Sequence, residues 1–128
     1  MSDKFTVEII SPDKSILKSE VSEVSIPSYE GQMGILKDHI PLITFLRPGL
    51  IIINGQEEKK YYVEEGTVEF SKNNLLILTA TAKDLKNLDK KTIDDFLQDA
   101  EKKFQNSELK DKERYVASYK ISTLKEIS

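Results

Sequence analysis

YEGQMGILKDHIPLITFLRPG, residues 29–49, holds three of the chain's five glycines, two of its four prolines and its only histidine. Such a stretch suits a catalytic loop, a phosphate cradle, or scaffolding for a docking surface. A catalytic triad needs a nucleophile, a base and an orienting carboxylate. His39 is the only candidate base, and Asp38 is its neighbour. Adjacent residues of an extended chain point in opposite directions, so Asp38 is badly placed to orient it. There is no cysteine and no Gly-x-Ser-x-Gly elbow. A histidine that fills a loop and hydrogen-bonds locally is the expectation. Gly31-Gln32-Met33-Gly34 lacks the third glycine and the helix of a dinucleotide loop. The helices that flank the GXXG loop of a KH module are missing as well. Positive φ in tight turns or bulges accounts for these glycines. Pro48-Gly49 marks a turn, and Pro41 suits an edge or irregular segment. The stretch therefore predicts stiff, irregular backbone at the rim of a β domain: a docking surface without chemistry.

The rest of the chain supports that exclusion. It has 128 residues, the size of one domain with an appendage. Its net charge of -3 and pI near 5.3 give no basic footprint for nucleic acid. One histidine, no cysteine and scattered carboxylates make no metal cluster, and no cofactor site emerges. The opening MSDKFTVEII is unlike a secretory signal. The apolar runs fall far short of the roughly 20 residues that a membrane helix needs. A soluble protein that meets a membrane only through a partner, without direct insertion, is expected.

Working outward, the two halves differ. Phe5, Val7 and Ile9 alternate with polar residues, the signature of a half-buried strand. Ser11-Pro12-Asp13 is a turn. Val21, Val24 and Ile26 mark a second strand, stopped by Pro27. Residues 50–53 form a β-rich run that ends in the hairpin signal Asn54-Gly55. A polar loop is expected through Lys60, and strands follow at 61–63, 67–70 and 75–78, with a turn at 71–74. Many short strands predict a sandwich or barrel. Beyond Lys83, glycine and proline vanish. Ile93, Phe96, Leu97, Ala100 and Phe104 share one helical face. Asp89 is the expected N-cap, with Leu88 stapled onto Ile93. Asp94 and Asp95 in the early turns and Lys102 and Lys103 in the last complement the helix dipole. Residues 105–107 break the helix. A second helix carries Leu109, Val116, Ala117, Ile121 and Leu124 on its apolar side. The fold class is all-β plus α: a β-sandwich over residues 1–85, then an antiparallel two-helix hairpin over residues 86–128. Thin apolar faces mean that the hairpin leans on the β domain or on another protein.

The run GQMGILKDHIPLITFLRPGLI, residues 31–51, resembles the signature of the epsilon subunit of bacterial F-type ATP synthases. The family pattern has a Gly-x-x-Gly, an apolar pair, a His-x-Pro-Leu core, a threonine and a Pro-Gly. The surroundings match in order: a first strand ending in Ser-Pro, a Val-x-x-Val strand into the loop, Gly66 to Phe70, and Thr79-Ala80-Thr81-Ala82 before a charged helical tail. The resemblance spans essentially the whole chain. It implies a flattened barrel or sandwich of about ten strands followed by a helical hairpin. It also implies a non-catalytic rotor-stalk subunit on the cytoplasmic face of the bacterial inner membrane, attached peripherally. Its implied partners are the gamma subunit, the ring of c subunits and the alpha/beta catalytic head, and its implied role is to couple proton flow to ATP synthesis.

By the same resemblance, Tyr29, Glu30, Gly31 and Gln32 face the c ring, with His39 nearby. Gly34, Pro41, Pro48 and Gly49 are structural members of the motif. The hairpin of this family either folds against the barrel or extends along the stalk, where it blocks ATP hydrolysis. Lys110, Lys112, Arg114, Lys120 and Lys125 are the candidate regulatory residues of the second helix, diluted by Asp111, Glu113 and Glu126. Some members bind ATP through Ile/Leu-Asp-x-x-Arg-Ala. Here Leu97 and Gln98 stand in place of arginine and alanine, so ATP binding is not expected. The alternative is a free-standing sandwich that binds a small ligand. The absence of tryptophan and an aromatic content of 8% argue against it.

Overall fold

The structure, a computed structural model, describes residues 3–106 and 108–128. Ser107, placed by sequence in the interhelical break, lies outside the described residues. Ten strands come first: β1 (Phe5–Ile10), β2 (Ser15–Val21), β3 (Glu23–Ser28), β4 (Gly31–Leu36), β5 (Leu42–Leu46), β6 (Gly49–Asn54), β7 (Glu58–Val63), β8 (Gly66–Ser71), β9 (Asn74–Leu78) and β10 (Lys83–Asp84). A 3-10 turn (Leu85–Asn87) leads to α1 (Lys90–Phe104) and α2 (Asp111–Ile127).

The strands pair in the order β10-β7-β6-β3-β5-β8-β9-β1-β2, and β4 pairs with β3. β1 and β9 run parallel. β4 covers the full length of β3 on one edge. The other edge is shared: β6 pairs with residues 23–25, and β5 meets β3 only at Ser28↔Leu46. At that single pair the sheet bends, and its two halves close over one core. Alternation supplies the core. Val7 and Ile9, Val24 and Ile26, Ile51 and Ile53, Val68 and Phe70, and Leu75 and Ile77 all point inward and are buried. Full burial of each such side chain stabilises by about 1.5–3 kcal/mol. Phe5 meets Phe70 edge to face, with centroids 5.6 Å apart.

Adjacent tyrosines on β7 separate two cores. Tyr61 joins the interior, whereas Tyr62 points to the outer face with Leu50 of β6. Ile93, Leu97 and Ala100 of α1 and Ile121 and Leu124 of α2 pack there. The hairpin thus lies folded against the sandwich. Asp89 caps α1, accepting from the Thr92 N–H at 2.8 Å, and Leu88 packs in the same cluster as Ile93. The first turn of α1 carries no acidic residue. Asp94 and Asp95 begin one turn later, so the cap is the anion nearest the helix N-terminus.

Several expectations need correcting. Residues 29–49 are not mainly irregular: β4 and β5 take up most of them, because a full antiparallel ladder with β3 satisfies the β4 backbone. Pro27 does not stop its strand. β3 continues to Ser28, and the Pro27 carbonyl accepts from the Arg47 N–H at 3.0 Å. Val21 belongs to β2, a largely exposed strand whose weak alternation hid it, while Val24 and Ile26 lie on β3. β7 begins at Glu58, so Lys59 and Lys60 are strand residues and the loop is only residues 55–57. Leu109 precedes α2 and is not on its face, because Lys110 is the helix N-cap. Gly31 has positive φ (119°), but Gly34 is an ordinary strand residue.

Candidate docking site

The turn between β3 and β4 consists of Tyr29 and Glu30, and its polar groups are mutually engaged. Ser28 Oγ donates to the Gly31 carbonyl at 2.8 Å and accepts from the Glu30 N–H at 3.2 Å. The Tyr29 N–H donates to the Phe45 carbonyl at 3.3 Å. Gln32 Nε2 reaches Ser25 Oγ at 2.7 Å and the Leu50 carbonyl at 3.2 Å, tying the turn to β6. Ser28 itself is buried, whereas Tyr29 and Glu30 are exposed. A stiff turn presenting one aromatic ring and one carboxylate is the result.

His39 is not part of this group. It lies where β5 pairs Leu42 with Phe70, and its ring meets Phe70 edge to face at 5.9 Å. Tyr29 lies at the other end of β5, beside Leu46. The two ends are four residues apart, about 13 Å along an extended strand. His39 Nδ1 contacts the Ile40 carbonyl at 2.7 Å. Asp38 faces elsewhere. Its N–H donates to Asn73 Oδ1 at 2.7 Å, and its carboxylate accepts from Asn73 Nδ2 at 2.9 Å. Asp38, Lys72 and Asn73 all have positive φ, so this reciprocal pair joins two tight turns. Nothing here orients a catalytic base, and no group of three or more metal-ligating side chains occurs among the described residues.

The remaining motif residues shape the corner. Pro48 and Gly49 are buried, and a Cβ on Gly49 would stand 2.5 Å from the Pro27 Cβ. A Cβ on Gly34 would meet only the Glu23 carboxylate at 3.7 Å. Pro41 is exposed at the start of β5. Beyond it, Ile43 and Phe45 point outward from β5 and are 75% and 60% exposed. Side chains of this size on one strand face, with Tyr29 at the end, form an apolar stripe of the sort that partners cover.

The hairpin grips the sandwich next to that stripe. Tyr115 of α2 stacks on Tyr29, with centroids 5.7 Å apart and planes 16° from parallel. Its hydroxyl donates to the Tyr29 carbonyl at 3.3 Å. Tyr119, one turn on, meets Tyr115 at 4.8 Å, and the Arg47 guanidinium lies 3.9 Å from the centre of the Tyr119 ring. Lys120 pairs with Glu64 at 3.1 Å, and Glu64 also accepts from the Tyr62 hydroxyl at 2.9 Å. Burial, with Glu64 close by, pushes the Tyr62 phenol well above its ordinary range.

The five basic residues of α2 divide. Arg114 donates to the Phe104 and Asn106 carbonyls, each at 3.3 Å, and closes the hairpin. Lys120 is held by Glu64. Lys110 is the N-cap, and its N–H donates to Glu113 Oε1 at 3.2 Å. Lys112 and Lys125 are exposed. Leu97 packs in the hairpin–sandwich core, so the position where the ATP-binding motif wants arginine is filled by apolar packing. Sequence reasoning passed over Arg47, Glu64, Tyr115 and Tyr119. Their available signals were an arginine beside Pro48, one of only two in the chain, and a Tyr-Tyr pair at i, i+4.

Comparisons with known proteins agree with this architecture. Residues 4–84 match the family described as ATP synthase, Delta/Epsilon chain, beta-sandwich domain. An ATP synthase epsilon chain of Pelagibacter ubique (strain HTCC1062) is 46% identical over 130 residues, covering all of both chains. The epsilon chain of Dichelobacter nodosus (strain VCS1703A) is 36% identical over 80% of this chain and 73% of its own. A chain in the structure of the Euglena gracilis mitochondrial ATP synthase OSCP/F1/c-ring assembly superposes with a TM-score of 0.80, over 98% of this chain and 82% of that one. At 22% identity that likeness carries the fold alone. Ten strands in this order, the two-helix hairpin and full-length identity to an epsilon chain together place the protein: it belongs to the ATP synthase epsilon-chain family, as a non-catalytic subunit.

Proposed function

We propose that the chain is a rotor-stalk subunit of a proton-translocating F-type ATP synthase. It binds gamma through the sandwich, sits on the c ring through residues 29–32, and couples proton flow to ATP synthesis. The observation that carries this function is the apolar stripe of Ile43 and Phe45, uncovered in a sandwich whose other large apolar side chains are mostly buried. Burying those two side chains against a gamma surface gains about 1.5–3 kcal/mol each, on the scale of a hot spot. The exposed Glu30 faces basic ring loops, with the modest gain of a rim contact. No helix among the described residues is long and apolar enough to cross a membrane, which supports peripheral attachment through these partners.

The folded hairpin leaves hydrolysis unhindered, and its release toward the catalytic head blocks it. ATP does not set the hairpin position. The cleft of about 340 Å³ between the hairpin and the sandwich has a mostly apolar wall; Lys103, Lys112 and Lys120 line it, but no arginine does. Binding of the purified chain to a cognate gamma–c-ring subcomplex is the test. Micromolar or tighter binding, weakened at least tenfold by Phe45→Asp, supports the assignment. Absence of binding overturns it.

A further inference from the structure

Tyr29 belongs to two contacts at once. It forms the β3–β4 turn beside the exposed stripe, and it is the sandwich half of the stack that holds α2. Its carbonyl is engaged by Tyr115, its N–H by Phe45, and the Glu30 N–H beside it by Ser28. Phe45, the most outward-reaching aromatic of the stripe, therefore connects through one residue, Tyr29, to the hairpin. A cleft of about 470 Å³ runs along this junction, lined by Tyr29, Phe45, Glu65 and Lys112, so the helix forms one wall of the surface that a partner meets.

We infer that hairpin docking and c-ring binding at the β3–β4 turn are coupled through Tyr29: α2 holds the Tyr29 ring in place, and the c ring seated on the turn in turn favours the docked hairpin. The inference rests on the rotor-stalk function proposed above. The physical basis is differential contact. With α2 docked, Tyr29 has its ring stacked and its carbonyl bonded. With α2 released, both contacts are lost; the turn backbone keeps its bonds to Ser28 and Phe45, but the Tyr29 ring must be ordered by the partner, at a cost to its affinity. Coupling of this kind is reciprocal, so a change that loosens α2 must weaken partner binding by the same factor that the partner tightens α2. Arg47 extends the path. It holds Tyr119 by its guanidinium face, while its N–H is bonded to Pro27 at the base of the same hairpin of strands.

Full-length Tyr115→Ala is the probe, because Tyr115 lies on the hairpin. Two measurements are made: amide exchange of the free chain, and affinity for a cognate gamma–c-ring subcomplex. Faster exchange at Tyr29 and Glu30 and an affinity loss of about fivefold are expected, and the affinity loss shrinks when Tyr115→Ala is made in a Tyr29→Ala chain, which lacks the ring stack but keeps the carbonyl. Tyr119→Ala, farther from the turn, gives a smaller loss of the same sign. Unchanged affinity in Tyr115→Ala, with α2 visibly loosened, overturns the coupling and leaves the rotor assignment standing. So does a loss that persists undiminished in the Tyr29→Ala background, which would make Tyr115 act independently of the stack. Failure of the unmodified chain to bind removes the rotor assignment itself, and the coupling with it.

Discussion

Tyr29 and Tyr115, 86 residues apart in sequence, lie with their rings nearly parallel and 5.7 Å apart. This pair joins the sandwich to its hairpin at the edge of the proposed partner surface. Behind it, Arg47 covers the Tyr119 ring. A cation over an aromatic ring contributes about 0.5–2 kcal/mol, so Arg47 holds the docked hairpin by a modest margin.

Arg47→Ala is therefore expected to raise amide exchange along α2 severalfold while leaving exchange in β1 and β9 unchanged. Arg47→Lys restores little, because a point charge cannot lie flat on the ring as a guanidinium does. In the assembled catalytic head, the same Arg47→Ala chain lowers ATP hydrolysis, since the freed hairpin spends more time extended. A hydrolysis assay with equal incorporation of both chains checks this.

The Lys120–Glu64–Tyr62 chain is the polar counterpart of the latch. Tyr62→Phe keeps the packing and removes a hydrogen bond within the sandwich, so it weakens hairpin docking only by freeing Glu64, by less than about 1 kcal/mol. Lys120→Met costs a similar amount at low salt and less at high salt. A double-mutant cycle on α2 exchange at two ionic strengths is the measurement, and coupling between the two positions is expected because both bond Glu64 Oε2.

The two motif glycines tested by geometry should behave differently. Gly49→Ala drives a methyl group into the Pro27 ring at the corner where the sheet bends, and is expected to destabilise the sandwich by about 1–3 kcal/mol. Gly34→Ala meets no obstacle and is expected to be neutral or slightly stabilising. Thermal melts of the two variants separate a packing requirement from a mere member of the motif.

ATP at millimolar concentration is expected to leave the melting temperature and the α2 exchange of the free chain unchanged. Leu97 occupies the core between hairpin and sandwich, and both of the chain's arginines are engaged elsewhere, Arg47 with Tyr119 and Arg114 with backbone carbonyls. Calorimetric titration checks the same point directly.

Strands with one buried face were legible in the sequence, because alternation at Phe5, Val7 and Ile9 or at Val68 and Phe70 records burial directly. β2 was not: its residues are mostly exposed, and an edge strand needs little apolar patterning. Pro27 misled for a related reason. Proline lacks only the donor, and its carbonyl remains free to hold Arg47 at the bend. Asp89, Leu88 and Ile93 announced the start of α1 through local rules. The latch could not be read this way. Tyr29 meets Tyr115, Arg47 meets Tyr119 and Glu64 meets Lys120 only once the hairpin folds back, and no local pattern encodes a contact across 86 residues. His39 stands close to Tyr29 in the motif but lies at the far end of β5, because strand β4 carries the chain away from the turn.

Proton-driven ATP synthesis in membrane vesicles stripped of their epsilon subunit tests the rotor-stalk function most directly. Adding back the full-length chain is expected to restore synthesis to near the level of untreated vesicles, and the Phe45→Asp chain to restore little. Binding of the full-length chain without any recovery of synthesis would contradict a coupling role.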